Sequence, residues 1–452
     1  MGEAADGHLA NAVIRQLITT VLDVILRIFF RRLEVAGQEH VPARGPVLFI
    51  INHPNALVDP VVLLCRAGRP VSFLAKEPLF RMPIIGSFVR ALDSIPVYRK
   101  MDQADTARNR ATFDAARALL ARGGSLAVAP EGTSHSDPRL KPFRTGAARI
   151  ALGAATADGL DVVPAGLFYT SKTRFRSSAL LCFGEPIGVE PVPPDPDGEL
   201  PAGAVRGLTA RFEAALGALT LQADHHEALG LVQAAQRIFT SAQRGGAPEL
   251  ADRLQLQQRL AAGYRRLREE APARLGRIES RIARYDTELR EADLTPELLP
   301  ISGYRARTVL RLSVRALLVL LVLLPLAAIG LVLHAPGWLA TDLIARRFHG
   351  GEADVVATVK ALGGILFFPL SWILVATFCG MRWGWPGGLG AMVAGPLTGF
   401  AALRFLEQLD RLAGGARGLL LALTGRRRFL RLLAERRAIH DELVALGNEF
   451  GV

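Results

Sequence analysis

The run ALLVLLVLLPLAAIGLVL, residues 316–333, contains no charged side chain. Water does not tolerate so long an apolar segment, and at about 1.5 Å per helical residue its length approaches the thickness of a bilayer core. We read it as a transmembrane helix. A second run, ALGGILFFPLSWILVATFCG at 361–380, has the same character. A third, PGGLGAMVAGPLTGFAAL at 386–403, is richer in glycine and reads as a re-entrant or packed segment. Arg305, Arg307, Arg311 and Arg315 flank the first run, and eight arginines face four acids after residue 410. Basic flanks favour the cytoplasmic side, and two flanks on one side require an even number of crossings. The expectation is a multi-pass protein of the inner (cytoplasmic) membrane, with two spans, a non-crossing third segment and the remaining domain in the cytoplasm.

The rest of the chain is organised differently. Over residues 9–30, Asn11, Arg15, Thr19, Asp23, Arg27 and then Arg31 recur at every fourth position in an otherwise apolar sequence. That spacing predicts a helix with one polar stripe, suited either to the bilayer interface or to packing on its own domain. From about 35 to 190, short apolar runs (VLFII, VSFLA, SIPVY, SLAVA, VVPAGLF, ALLCF) alternate with helical patterns such as TARNRATFDAARALLARGG. This alternation predicts an α/β domain with a largely parallel sheet flanked by helices. The proline-rich stretch PVPPDPDGELPAG closes it near 203, and Arg-, Glu- and Leu-rich helical patterns follow. The division expected is 1–34 interface helix, 35–203 α/β domain, 204–300 helical segment, 301–410 membrane region and 411–452 basic helical tail.

The net charge of +12 comes almost wholly from arginine, with lysine only at 76, 100, 141, 172 and 360. Beside long apolar runs, such a balance points to anionic lipid rather than to nucleic acid. Cys65, Cys182 and Cys379 are isolated, without metal-ligand or disulfide spacing, and suit a reducing compartment. The acidic start MGEAADGH lacks a basic n-region, so no cleavable signal peptide is expected. Nine histidines are scattered, and adjacent His225 and His226 lack a third ligand in register, so no metal site is expected.

The stretch FIINHPNALVDP, 49–60, places His53 and Asp59 six positions apart. On a straight helix that separation leaves them roughly 120° apart, so they meet only if His53 precedes the helix. We therefore expect a strand over 46–51, a turn carrying His53, and a helix from about 55 to 66. Pro54 would sit at its first position, and Asn52 or Asn55 would cap the free N–H groups. Three later segments share the theme. LAKEPLFRMPIIGSFVRALDSIPVYRK carries Lys76 and ends a strand at Arg99; APEGTSHSDPRLKPFRTGAARI carries Glu131, Gly132, Thr133 and Arg144; DVVPAGLFY is a strand broken at Pro164. Together they set a base, carboxylates, cations and glycine-permitted N–H groups at the strand ends of one sheet, where ligands of α/β folds bind.

The order of these blocks, spanning about residues 45–190, resembles the membrane-associated glycerolipid acyltransferases, which acylate glycerol phosphate and lysophospholipids. PEGTSHSDP at 130–138 and ALGLVQAAQRIFTSA at 228–242 are similar to the fungal-type glycerol-3-phosphate acyltransferase branch. Five residues separate His53 from Asp59 where the family commonly has four; Ser134 stands where arginine is common, and Arg144 where lysine is common. The resemblance implies an O-acyltransferase acting on an acyl thioester and glycerol 3-phosphate in phospholipid biosynthesis. 1-Acylglycerol 3-phosphate or another lysophospholipid is the alternative acceptor, and a non-catalytic lipid-binding scaffold the alternative class. It implies His53 as general base with Asp59 as its partner. Arg99 and Arg144 would bind the phosphate with Lys76 as an outlying helper, and Glu131, Gly132 and Thr133 would orient acceptor hydroxyls or serve the loop. It implies no cofactor beyond the co-substrate, acyl-CoA or the acyl group on acyl carrier protein, and it implies contact with the bilayer. Cys65 lies in an apolar helix and is expected to pack, not to act as a nucleophile.

Overall fold

The computed structural model describes residues 2–98, 109–156, 159–172, 174–242, 248–296, 306–348 and 353–451. Two compact units divide the chain: residues 1–222 with 351–358, and residues 223–350 with 359–452.

The first unit is built on an eight-stranded sheet. Its strands are β1 (Arg32–Ala36), β2 (Val47–Ile51), β3 (Ser72–Lys76), β4 (Ile95–Val97), β5 (Ser125–Val128), β6 (Leu160–Tyr169), β7 (Ser178–Phe183) and β8 (Ile187–Val189). Their order is β1-β7-β6-β2-β5-β3-β4, with β8 also paired to β6. The stretch from β6 to β4 is parallel, whereas β7 and β8 run antiparallel to β6. The parallel core was legible as alternation; β1 and β8, short edge strands, were not. β2 is buried at every position, as a strand covered on both faces must be. Each such aliphatic side chain contributes about 1.5–3 kcal/mol by leaving water.

Leu48 and Ile50 of β2 enter a core with Leu126, Ala147, Ile150, Ala151 and Val162. Into it pack α5 (Asn109–Ala121), α6 (Gly146–Ala154) and α7 (Ala202–Ala218), the last through Val205, Leu208 and Phe212. The first core thus extends through α7, beyond the boundary at 203 drawn from the proline-rich loop. Alternation turns Phe49 to the other face, beside Phe183 at 6.0 Å. There α2 (Val58–Arg66) packs on β7, and α1 (Gly2–Phe29) packs on α2. Short α3 (Pro78–Arg81) and α4 (Pro83–Ala91) join β3 to β4.

Pro164 does not break β6, which runs unbroken from 160 to 169. Its carbonyl accepts from Gly184 N–H, so its nitrogen faces the same edge. Along that edge β8 pairs with 160–162 and β7 with 165–169, and the missing donor falls in the gap between them.

The polar stripe of α1 turns inward. Arg15 donates to Val71 O and pairs with Asp93 at 3.4 Å, Asp23 pairs with Arg66, and Cys65 Sγ donates to Thr19 O at 3.7 Å. Val13, Ile14, Leu17, Val21, Val24 and Ile28 are exposed. At about 100° per residue they occupy a single arc of roughly 100°. The helix is docked by its charges and shows its apolar face.

In the second unit, α8 (His226–Ala242), α9 (Leu250–Glu270), α10 (Pro272–Glu291) and α13 (Arg426–Phe450) share one core that includes Ile238, Leu267, Ile282, Leu432 and Ile439. Arg281 bridges Glu442 at 2.8 Å and Arg274 bridges Glu449 at 2.8 Å. The C-terminal tail is therefore a wall of the helical bundle rather than a separate appendage. Between α10 and α13 lie α11 (Ala306–Phe348) and α12 (Ala353–Thr424), two candidate membrane helices. Most of their apolar surface is exposed, as in helices suited to face lipid. The backbone leaves helical geometry at Trp383 and Gly384, where α12 folds into a hairpin. A Cβ on Gly388 would lie 3.1 Å from Ala376 O, so glycine permits the two arms to touch. The segment 386–403 is thus the second arm of that hairpin. Trp372 Nε1–H donates to His334 Nε2 at 2.8 Å and His334 Nδ1 bonds Gly330 O at 2.8 Å, which ties α11 to the first arm.

Candidate active site

β2 ends at Ile51 and the chain turns sharply. The turn occupies 52–57, with Ala56 in the left-handed region at φ 34°, and α2 begins at Val58. Pro54 therefore lies in the turn, not at the first helical position. Neither asparagine caps the helix by its side chain. Asn52 is used otherwise: its Nδ2 donates to Leu167 O at 3.0 Å and its Oδ1 accepts from Leu167 N–H at 2.7 Å, so its amide imitates a strand residue beside β6. That pins the turn to the sheet.

His53 Nδ1 lies 2.9 Å from Asp59 Oδ2. The extra residue between them is absorbed by the strained turn, and the pair meets. Asp59 has no exposed surface, and three donors surround its carboxylate. His53 Nδ1–H and Asn55 N–H, at 2.7 Å, reach Oδ2, and Tyr169 O–H reaches Oδ1 at 2.6 Å. A buried carboxylate needs such partners to remain ionised. Because it accepts from Nδ1–H, His53 presents a lone pair at Nε2, which no described residue engages. Tyr169, the last residue of β6, carried no signal in the sequence beyond its place at a strand end. Burial, then the neighbouring charge of Asp59, pushes its phenol well above the ordinary value, so it stays a donor.

The loop after β5 faces the same turn. Glu131 is buried, and its carboxylate accepts from His53 N–H at 3.3 Å, from Lys141 N–H at 2.8 Å and from the His135 ring. These three donors commit its carboxylate to the loop. Gly132 adopts φ +76°, and a Cβ there would meet Arg144 Nε at 2.8 Å. Glycine is required both for the left-handed backbone and for the guanidinium to lie against it. Arg144 N–H donates to Pro130 O at 2.9 Å, while its side chain is exposed, with no hydrogen bond or ion pair to its guanidinium among the described residues. Thr133 Oγ1 donates to Ser134 O at 3.2 Å, a contact within the loop. Lys76 is exposed at the end of β3, joined to the others by the sheet edge alone. Arg99 lies outside the described residues. His53, Asp59, Glu131, Gly132 and Arg144 thus form one contiguous chain of contacts at the C-terminal ends of β2 and β5. Among the described residues no group of three His, Cys, Asp or Glu is placed to hold a metal ion.

Comparison with known proteins accounts for both units. Residues 32–167 match the Acyltransferase family model, and residues 231–451 match the glycerol-3-phosphate acyltransferase 2 C-terminal domain. The chain thus carries an acyltransferase domain followed by a glycerol-3-phosphate acyltransferase 2 C-terminal domain. This acyltransferase is 24% identical to glycerol-3-phosphate O-acyltransferase 1 of Saccharomyces cerevisiae, over 97% of its own length and 71% of the yeast protein. It is 24% identical to an uncharacterized acyltransferase of Schizosaccharomyces pombe, over 79% of its length and 67% of that protein. Among solved structures, the 1-acyl-sn-glycerophosphate acyltransferase of Thermotoga maritima matches 46% of the chain and 80% of its own, at 20% identity and a TM-score of 0.33.

Proposed function

We propose that this acyltransferase esterifies glycerol 3-phosphate with the acyl group of a thioester, using His53 as general base. The observation that carries the reading is the His53–Asp59 contact of 2.9 Å, with Asp59 held by three donors and Nε2 engaged by no described residue. His53 Nε2 takes the proton of the acceptor hydroxyl as its oxygen attacks the thioester carbonyl. Asp59 fixes the tautomer and stabilises the imidazolium, as the carboxylate of a serine-protease triad does. When the C–S bond breaks, the imidazolium returns its proton to the departing thiolate. The ester and a free thiol result, and the enzyme is unchanged. A positioned base of this kind contributes about 10²- to 10⁴-fold in rate.

The phosphate brings roughly two negative charges, which suit the unpaired Arg144 guanidinium, with Arg99 and Lys76 as further cations. Gly132 gives Arg144 its place, and Thr133 shapes the loop between them. The yeast likeness, which covers nearly the whole chain, favours glycerol 3-phosphate as acceptor.

The bilayer is the second partner. The exposed apolar arc of α1 fits the interface, and α11 and α12 fit its core. The segment after α10 packs with α13: Arg436 Nη1 donates to Pro296 O at 3.2 Å, and Arg417 pairs with Asp293 at 2.7 Å. From the arginines that flank the first apolar run, we place the catalytic unit on the cytoplasmic side.

The test is purified protein supplied with acyl-CoA or acyl carrier protein thioester and a panel of acceptors, read by thiol release and product mass. Glycerol 3-phosphate should give 1-acylglycerol 3-phosphate, and His53→Ala should abolish turnover. Product from lysophosphatidate alone would shift the acceptor; full activity of His53→Ala would end the mechanism.

A further inference from the structure

His135 has no part in the chemistry above, yet it sits four residues beyond Glu131, nearly buried, and closes a circuit around His53. Its ring Nε2 bonds Glu131 Oε2. Glu131 Oε1 accepts from His53 N–H at 3.3 Å, and His135 N–H donates to His53 O at 3.1 Å. The main chain of His53 is therefore gripped from both sides by one loop. The two gripping residues are in turn tied to each other. The remaining ring nitrogen, Nδ1, accepts from Asp137 N–H at 3.2 Å, so Nε2 carries the hydrogen given to Glu131.

Side-chain exposure is 9% for His135 and 1% for Glu131, so neither presents a surface for a substrate to touch. Asp59 fixes one nitrogen of the His53 ring, but a ring anchored at one atom can still swing with its backbone. The loop removes that freedom. We propose that His135 is a positioning residue: by holding Glu131 it fixes the main chain of His53 and so the direction in which Nε2 points. This rests on the reading of His53 as general base. Misplacement of a reacting group by about 1 Å costs on the order of 10²-fold, and the loss falls on the chemical step rather than on binding.

The test compares His135→Leu, His135→Gln, His135→Asn and His53→Ala in the full-length protein, measuring kcat, both KM values and the melting midpoint. Glutamine can set its amide where Nε2 was and donate to Glu131; asparagine is too short, and leucine has no donor. We expect kcat to fall ten- to hundredfold in the leucine and asparagine variants, with both KM values within twofold of the native ones. The glutamine variant should recover to within about threefold of native kcat. Should leucine prevent folding, the glutamine and asparagine pair carries the comparison. Native kcat in the asparagine or leucine variant, a loss expressed in KM, or equal loss in glutamine and asparagine would overturn the proposal. An active His53→Ala would instead overturn the general-base reading, and the two failures are told apart by which variant keeps its activity.

Discussion

Tyr169→Phe removes a single oxygen from the centre of the site and leaves the ring, stacked on Phe30 at 5.8 Å, in place. What is lost is the donor at 2.6 Å from Asp59 Oδ1. The other two donors both serve Oδ2, so Oδ1 is left bare in a side chain with zero exposure that water does not reach. Hydrogen bonds to charged groups contribute about 1.5–3 kcal/mol, and an unsatisfied buried ion loses all of it. At roughly 2–4 °C per kcal/mol for a unit of this size, the melting midpoint should drop by about 3–12 °C. The hydroxyl acts on the far oxygen of Asp59, away from the reacting atoms. The fall in kcat should therefore be smaller than that of Asp59→Asn, which scrambles the donors around His53. Thermal unfolding in detergent micelles and thiol release from acyl-CoA read the two effects separately. In a double-mutant cycle, Tyr169→Phe should do little in an Asp59→Asn background. A native midpoint for Tyr169→Phe in the Asp59 protein would refute the account of how this carboxylate is held. The phenol's folded value is raised above 10, so its stabilisation is complete below pH 10 and is lost only as pH climbs through the higher folded value.

Three further outcomes follow from the same geometry. Arg144→Ala should raise the KM for glycerol 3-phosphate at least tenfold, about 1.4 kcal/mol, with the KM for acyl-CoA little changed; Gly132→Ala, strained at φ +76° and crowding Arg144, should raise the same KM. Burial pushes the Cys65 and Cys182 thiols up to about 11, so a thiolate-selective alkylating reagent at pH 8 should label both only after denaturation, as mass spectrometry of the peptides would show. Their contribution to stability is intact below pH 9 and is lost as pH rises through 11. Leu17→Glu with Val24→Glu should leave the α1 ion pairs untouched, weaken binding of a membrane-helix-free fragment to anionic vesicles in a flotation assay, and spare its secondary structure by circular dichroism; undiminished flotation would remove α1 from the interface.

Much of this architecture is written in local pattern. Uncharged runs near bilayer length announce helices α11 and α12, because such runs must be kept from water. Apolar runs alternating with helical periods announce the parallel core of the sheet, and the spacing of His53 and Asp59 forces a turn between them. Those inferences need only the periods of helix and strand and the cost of leaving apolar surface in water. Tertiary structure decided the rest, because it depends on which edges of the chain meet. Asn52, which looked like a cap, pairs with β6 115 residues away. Tyr169 reaches Asp59 across 110 residues, and nothing near either in the chain betrays it. Glu131 reads as a candidate for the acceptor until its three donors are counted. The polar stripe on α1 is plain in the sequence, yet whether charges or apolar groups face inward depends on Arg66 and Asp93 standing where the helix docks. A one-dimensional pattern states that a helix has two faces; only the partners brought by folding decide which face is satisfied inside.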